Sequence, residues 1–509
     1  MRRRRPLILT SVVAAAAFAL VAAGCRGGSP GGASLASSTA TTTRTQSGQS
    51  GLLAFTHCVR SDGVPNFPDP QHFVGGDLKL TIHQVGASSP HLRTAISACN
   101  HLLPVRRSKA GPANGSGDCG STTKCYTPQQ LEVAYGVEPL LRRGIDGRGQ
   151  TVVMPEVAEQ PGPDASDIRQ DMARFDSLFG LPLARLRVVN SLAGSASPWL
   201  AGGEEVEDTE MVHAVAPGAT ISIVLVKQSA VSSPADFATA LTAFLRLGAT
   251  HGGVLSLSAS VGEHYLTSAE VAGVDAALRA DRDHRVTVVA ASGDKGAASD
   301  LHWGSSPIKE VSLPASDPLV LAAGGTRLTA DRATGAYIGE TAWNTLPASP
   351  SSGDGSSASG GGFSHLFARP GYQDGVPGAE ATRRVPDVAG DAAFDTGMAV
   401  ASGSGSGQTV VRPATGTSAA APFWAGLVAL ADQYAGRHLG FVNPAVYRIA
   451  RSARHRQAFH DITKGNNTAS FPPVTITGYQ AAPGWDPVTG WGSPDAQILV
   501  PLLASDASR

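Results

Sequence analysis

The chain has 509 residues, 42% apolar, 16% charged and 6% aromatic, which is enough for a buried core and more than one folded unit. Forty Lys and Arg against 41 Asp and Glu give a formal charge of −1, which argues against a basic nucleic-acid-binding protein; 59 Gly and 34 Pro are too few and too aperiodic for collagen. Five cysteines exclude a cysteine-rich scaffold, and their odd number asks for one with a separate role.

Arg2 to Arg5 and the uncharged run Leu7 to Ala23 read as the basic and apolar parts of an export signal. The run sits at the short limit for a membrane-spanning helix. Leu20-Val21-Ala22-Ala23-Gly24-Cys25 resembles a bacterial lipobox, cut before Cys25 with lipid placed on its thiol, although Ala22 is less favoured there than Leu. A plain signal peptide and an uncleaved anchor are the alternatives. Removing 1–24 takes away four arginines and no acid, leaving a formal charge of −5. The expected location is extracytoplasmic, on the outer face of the cell membrane, or secreted if the lipobox is not used.

Residues 25–51 are rich in Ser, Thr, Gly and Ala and read as a flexible tether. Residues 52–104, with Cys58 and Cys99 near their ends, resemble a small cysteine-paired module of actinobacterial lipoproteins; 105–118 is a second linker. With Cys25 lipidated, four cysteines remain, and an oxidising compartment favours the pairs Cys58–Cys99 and Cys119–Cys125, other pairings staying open. A zinc site is the competitor, but no Cys-x-x-Cys or companion His pair supports it.

From 119 to 509 the pattern changes to one large domain. Strand-like runs at 150–154, 221–226, 253–258 and 286–290 alternate with helical stretches at 164–178, 204–214, 234–246 and 268–281. Continuous apolar strands alternating with helices predict an α/β domain, doubly wound around a largely parallel sheet.

Gly416-Thr417-Ser418-Ala419-Ala420-Ala421-Pro422 opens an apolar helix read over 423–434, with Pro422 tolerable in its first turn. Ser418 then lies at a helix N-terminus, where free N–H groups and the helix dipole favour developing negative charge; an ordinary Ser cap would read the same way. Gly-Thr-Ser with Pro four residues on resembles the nucleophile motif of two related peptidase groups, the subtilisins and the sedolisins or serine-carboxyl peptidases. A subtilisin needs a His base, and the nearest candidates, His213 and His251, lack its His-Gly-Thr-His context.

Carboxylates fill that gap. Gly203-Glu204-Glu205-Val206-Glu207-Asp208-Thr209-Glu210 precedes Ala216-Pro217-Gly218-Ala219 and resembles the sedolisin pattern Glu-x-x-x-Asp-x-Glu. Glu204 and Asp208 match it and share a helix face; Glu205 and Glu207 are close alternatives in register. An acidic first turn favoured by the helix dipole would look similar. Ala291-Ser292-Gly293-Asp294-Lys295-Gly296 resembles the family's strand-end motif, in which the Asp lines the oxyanion hole. A protonated carboxyl can donate to an oxyanion, which suits low pH.

Phe459 to Asn467, then Ala482-Pro483-Gly484-Trp485-Asp486-Pro487 and Thr489 to Pro494, resemble the sedolisin calcium site. The resemblance implies one Ca²⁺ held by the carboxylates of Asp461 and Asp486 and the carbonyls of Ile462, Ala482 and Gly484, a hard oxygen set. The likeness runs over roughly 125–505 and implies a kumamolisin-like enzyme of subtilisin-like fold, acting on polypeptides as a monomer. Ser418 would be the nucleophile, Glu204 its base, Asp208 the residue orienting Glu204, and Asp294 the oxyanion donor. Glu156 matches a Glu that some members bond to the catalytic Glu. Two departures stand out: Ser258-Ala259 replaces a Ser-Trp, and 52–118 is too short and too unlike for the family's large prodomain. The competing class is a cell-surface lipoprotein that keeps the fold only for binding.

Overall fold

The computed structural model describes residues 56–61, 64–65, 118–119, 123–158, 167–190, 203–227, 232–251, 253–298, 306–346, 356–376, 378–403 and 408–506. The export signal, lipobox and tether, nearly all of the 52–104 module and the 105–118 linker lie outside these residues. Cys58 and Cys125 are each disulfide-bonded; Cys99 and the side chain of Cys119 fall outside the described set, so the two proposed pairings stay expectations. Among the described residues no helix is long and apolar enough to cross a membrane.

The large domain is built on one sheet. Its strands are β1 (Thr151–Ala158), β2 (Arg185–Asn190), β3 (Thr220–Lys227), β4 (Val254–Leu257), β5 (Thr287–Ala291), β6 (Leu321–Ala330), β7 (Tyr337–Ala342) and β8 (Val388–Asp391). They run in the order β7-β6-β5-β4-β1-β3-β2, with β8 also pairing β6. Every neighbouring pair is parallel except β6 with β7. The chain leaves β1 toward one edge and returns past it to β4, so the carboxyl end of β1 lies where the strand order reverses. A crevice opens there in doubly wound sheets.

The strands read as unbroken apolar runs because both faces are covered. Val152 and Met154, Val254, Val289 and Ala291 enter one core; Val153, Leu255 and Leu257, Val288 and Ala290 enter the other. That alternation is the two-residue period of a strand applied to two buried faces. The helices are α1 (Ile168–Phe179), α2 (Glu204–Val215), α3 (Pro234–His251), α4 (Ser268–Asp283), α5 (Gly416–Ala435) and α6 (Ala496–Asp506). α2, α5 and α6 pack with the first core, and α3 and α4 cover the second.

α5 differs from the expected 423–434: it begins at Gly416, and Pro422 is inside it. Pro is tolerated in a helix when the carbonyl it fails to bond finds another partner. Pro422 would have bonded the carbonyl of Ser418, and that oxygen is approached instead by the Ser258 hydroxyl, 3.3 Å away. α5 is buried along nearly its whole length from Gly416 to Asp432, with Ser418 half-exposed.

Candidate active site

Three of the groups stand at carboxyl ends of parallel strands. Glu156 is near the end of β1, Ser258 directly follows β4, and Asp294 follows β5. Ser418 comes in from the first turn of α5, and Glu204 and Asp208 from the first turns of α2. The fold therefore brings Ser418, Glu204, Asp208 and Asp294 to one crevice.

Glu204 faces the side chain of Ser418, close enough to interact with it. It is open to solvent at the crevice, while protein encloses the rest of it. That enclosure, and next the charge of Glu207, push its pKa up to about 8, opposed by the Ser418 hydroxyl; water reaching the carboxylate moderates this rise. Asp208, one turn along, is fully buried, and one of its oxygens accepts the Ser258 hydroxyl at 2.5 Å. Glu156 is buried and hydrogen-bonds Asp208. The family resemblance pairs Glu156 with the catalytic Glu; here its carboxyl interacts with Asp208 and also feels the charge of Glu204. Two carboxyl groups can bond each other only if one is protonated. Burial raises both well above their ordinary values, and mutual charge adds to it.

The run Asp208-Thr209-Glu210 and its distance to Ala216 favour Glu204 as the match, and the side chains of the acidic turn go to different places. Glu205 is buried, with its carboxylate 3.3 Å from the Gly203 N–H. Glu207 accepts the Thr415 N–H and the Arg412 guanidinium, each at 2.6 Å. Of the three glutamates, Glu204 is the one on the serine.

Asp294 is held against the start of α5. One oxygen accepts both the N–H and the hydroxyl of Thr417 at 2.8 Å, and the Thr417 hydroxyl takes the Gly293 N–H at 3.1 Å. Gly416, at φ +77°, makes room: a Cβ there would lie 2.5 Å from the second Asp294 oxygen. That oxygen therefore faces Gly416, two residues before Ser418.

His213 is no competitor for the base. It is fully buried, its Nε2 lying 2.8 Å from the Pro182 carbonyl and 3.0 Å from Asp176, so it ties α2 to the end of α1. The side chain of His251 is outside the described residues. Sequence reasoning missed Ser258, Thr417 and Arg412 as partners of the site. Pro422, four residues beyond Ser418, was the one local hint that a hydroxyl would be needed nearby.

The second candidate site gathers at the turn 482–486. Both oxygens of Asp461 approach the Gly484 N–H, at 3.1 and 3.0 Å. Asp486 accepts the N–H groups of Val488, Thr489 and Ala482 and the Thr489 hydroxyl at 2.8–3.2 Å. Among the described residues neither carboxylate has an ion pair, and no hydrogen bond ends on the carbonyls of Ile462, Ala482 or Gly484. Two carboxylates that meet only N–H and hydroxyl donors, beside three carbonyls, make an all-oxygen set of the kind a hard cation takes. No cluster of three or more His, Cys, Asp or Glu that could hold a metal occurs among the described residues.

Comparison with known proteins places this geometry. Residues 195–460 match the model of the subtilase family. The chain is 34% identical to kumamolisin of Bacillus sp. (strain MN-32) over 418 residues, covering 80% of this chain and 68% of that protein. It is 35% identical over 222 residues to sedolisin of Pseudomonas sp. (strain 101), covering 43% of this chain and 35% of that one. It is 28% identical over 353 residues to tripeptidyl-peptidase 1 of Homo sapiens, covering 65% and 57%. In structure it resembles Pseudomonas sedolisin, a serine-carboxyl proteinase solved with pseudo-iodotyrostatin, at TM-score 0.61 and 26% identity over 76% of this chain and all of that one.

Proposed function

Since the chain belongs to the subtilase family, in its kumamolisin-like sedolisin branch, and is a serine-type peptidase, we propose that it is an endopeptidase whose catalytic groups are Ser418, Glu204, Asp208 and Asp294. The observation that carries this reading is the meeting of Glu204, at the start of α2, with Ser418 in the first turn of α5, with Asp294 pinned beside them by Thr417. The Ser418 oxygen attacks the scissile carbonyl carbon as its proton passes to Glu204. The intermediate collapses, the C–N bond breaks, and Glu204 returns the proton to the leaving amine. Water then repeats the sequence on the acyl-enzyme. Asp208, held by Glu156 and Ser258, keeps Glu204 directed at the serine. A protonated Asp294 and the Ser418 N–H donate to the oxyanion.

These roles imply a bell-shaped pH profile with its maximum on the acid side. Glu204 must be ionised and Asp294 protonated. Burial and the charge of Glu207 push Glu204 toward about 8, which works against an acid-side maximum, so water at the crevice must hold its working value well below that. The descending limb belongs to Asp294. One Ca²⁺ at Asp461, Asp486 and the carbonyls of Ile462, Ala482 and Gly484 would cross-link the C-terminal loops to the domain. The lipid on Cys25 would hold the enzyme at the outer membrane face, with the 52–104 module, stapled by its disulfide, between tether and peptidase.

The test is a pH–rate profile on a peptide library, with and without a calcium chelator, for wild type, Ser418→Ala and Glu204→Gln. Both variants should lose at least a thousandfold in kcat, and the chelator should lower Tm. A rate that keeps climbing above about pH 8 while still depending on Ser418 would refute the carboxylate base. Equal, negligible cleavage by wild type and Ser418→Ala would favour a binding role.

A further inference from the structure

α2 carries one buried carboxylate more than this chemistry uses. Glu207 is buried, and its two oxygens go to different elements: one to the Thr415 N–H and one to the Arg412 guanidinium, both at 2.6 Å. A second nitrogen of the same guanidinium donates to the Gly203 carbonyl at 2.6 Å. Gly203 is the residue before Glu204, and it supplies no side-chain cap to α2. Thr415 is three residues before Ser418. Arg412 ends the hairpin of strands Ala399–Gly403 and Thr409–Pro413 that leads into α5. Three hydrogen bonds thus join the start of the base's helix to the chain entering the nucleophile's helix.

We propose that Arg412, acting with Glu207, is a positioning residue: the pair sets the spacing of Glu204 from Ser418 and the charge that Glu204 feels. The inference rests on Glu204 as the base. The groups facing Glu204 are Glu207 and Asp208 from its own helix, Glu156 from β1, Asp294 from the turn after β5, Ser418 from α5 and Arg412 from the hairpin. Arg412 is the one cation in this set. Glu207 and Arg412 act on Glu204 in opposite senses, Glu207 favouring its neutral form and Arg412 its ionised form. Arg412 is about one-third exposed (34%), so solvent screens its charge, whereas Glu207 (3%) is not screened. The planar guanidinium reaches two acceptors at once, which an ammonium cannot do in the same way.

The experiment measures pH profiles of kcat and kcat/KM for Arg412→Ala, Arg412→Lys and Glu207→Gln beside wild type and Glu204→Gln. Arg412→Ala should move the acid limb up by roughly 0.5–1 pH unit and lower kcat about 10- to 100-fold with little change in KM. Glu207→Gln should move the limb down. Arg412→Lys should keep the limb near the wild-type position while kcat falls, because the charge stays and the fork is lost. Opposite movements from the two halves of one ion pair separate this role from a purely structural contact, which would weaken both variants without dividing their limbs. If Arg412→Ala does not fold, Arg412→Lys and Glu207→Gln still decide. Limbs that move together or not at all, with Glu204→Gln inactive, overturn the inference. An active Glu204→Gln would instead overturn the assignment of the base.

Discussion

The Ser258 hydroxyl has one proton and two acceptors. The Asp208 carboxylate is 2.5 Å away and the Ser418 carbonyl 3.3 Å away, so the proton goes to the carboxylate. The Ser418 hydroxyl in turn lies 3.4 Å from the Ser258 carbonyl. Ser258 therefore touches both the nucleophile and the residue behind the base, while its neighbour Ala259 is exposed and has no polar side chain to contribute. A hydrogen bond to a charged group contributes roughly 1.5–3 kcal/mol. Removing it leaves Asp208 fully buried with only Glu156 as a side-chain partner. Ser258→Ala should thus reduce kcat about tenfold or more, leave KM within about twofold, and raise the proton affinity of Asp208, since the lost bond favours the ionised form. Steady-state kinetics across pH on Ser258→Ala and Ser258→Thr check it. Recovery by Thr is expected, and an unchanged kcat in the Ala variant would show that Ser258 only fills space.

At the level of elements, the chemistry depends on how closely α2 approaches α5. They cross where Gly426 meets Val215: a Cβ on Gly426 would stand 2.8 Å from the Val215 Cβ and 2.9 Å from its Cγ1. Gly426 is mid-helix, where glycine costs about 1 kcal/mol relative to Ala, so close approach is the reason for it. Gly426→Ala should gain that propensity and lose more to overpacking, about 1–3 kcal/mol. It should also move the Glu204 helix away from Ser418, so kcat falls while KM, set by the crevice walls, changes little. Thermal melts and steady-state kinetics test both halves, and a variant with higher Tm and full kcat would show that the crossing has slack. The same elements show what local pattern could and could not reveal. Helices expected at 204–214 and 268–281 are Glu204–Val215 and Ser268–Asp283, because end signals such as the acidic first turn of the one and the Thr267 capping box of the other are local. The start of α5 was misplaced because proline is also welcome in a first turn, and only tertiary contact shows that the Ser418 carbonyl has another donor. Glu204 was legible from its spacing to Asp208. Ser258 and Arg412 were not, since each meets the site across 50 residues or more of chain.

At the scale of the whole molecule, the buried carboxyl groups among the described residues whose proton affinity is clearly displaced are displaced upward. Glu156, Asp208 and Glu210 are held well above their ordinary values, in each case chiefly by burial. Away from the crevice Asp317, Asp391 and Asp432 are each pushed up to about 7, again chiefly by burial. A carboxyl whose folded pKa exceeds its unfolded value near 4 binds its proton more tightly when folded. Its stabilisation is complete below about pH 4 and is lost as pH rises through about 7. Among the described residues the opposite case, a lowered carboxyl, occurs at exposed Asp236 in the first turn of α3 and at exposed Asp331, each lowered chiefly by hydrogen bonds from neighbouring hydroxyls. Those lose their contribution only on acidification below about 4. The protein should therefore be most stable near pH 4–5 and lose Tm steadily toward pH 8, the reverse of a protein whose carboxylates are held ionised by ion pairs. Thermal unfolding of the Ser418→Ala protein in calcium-containing buffer, where self-cleavage cannot intrude, measures this directly. Asp432 accepts the Leu439 N–H at 2.9 Å through one oxygen, so Asp432→Asn keeps that acceptor and removes the titration. That variant should flatten part of the fall between pH 6 and 8. A wild-type Tm that stays level or rises over that interval would mean that the buried acids are ionised in the folded state.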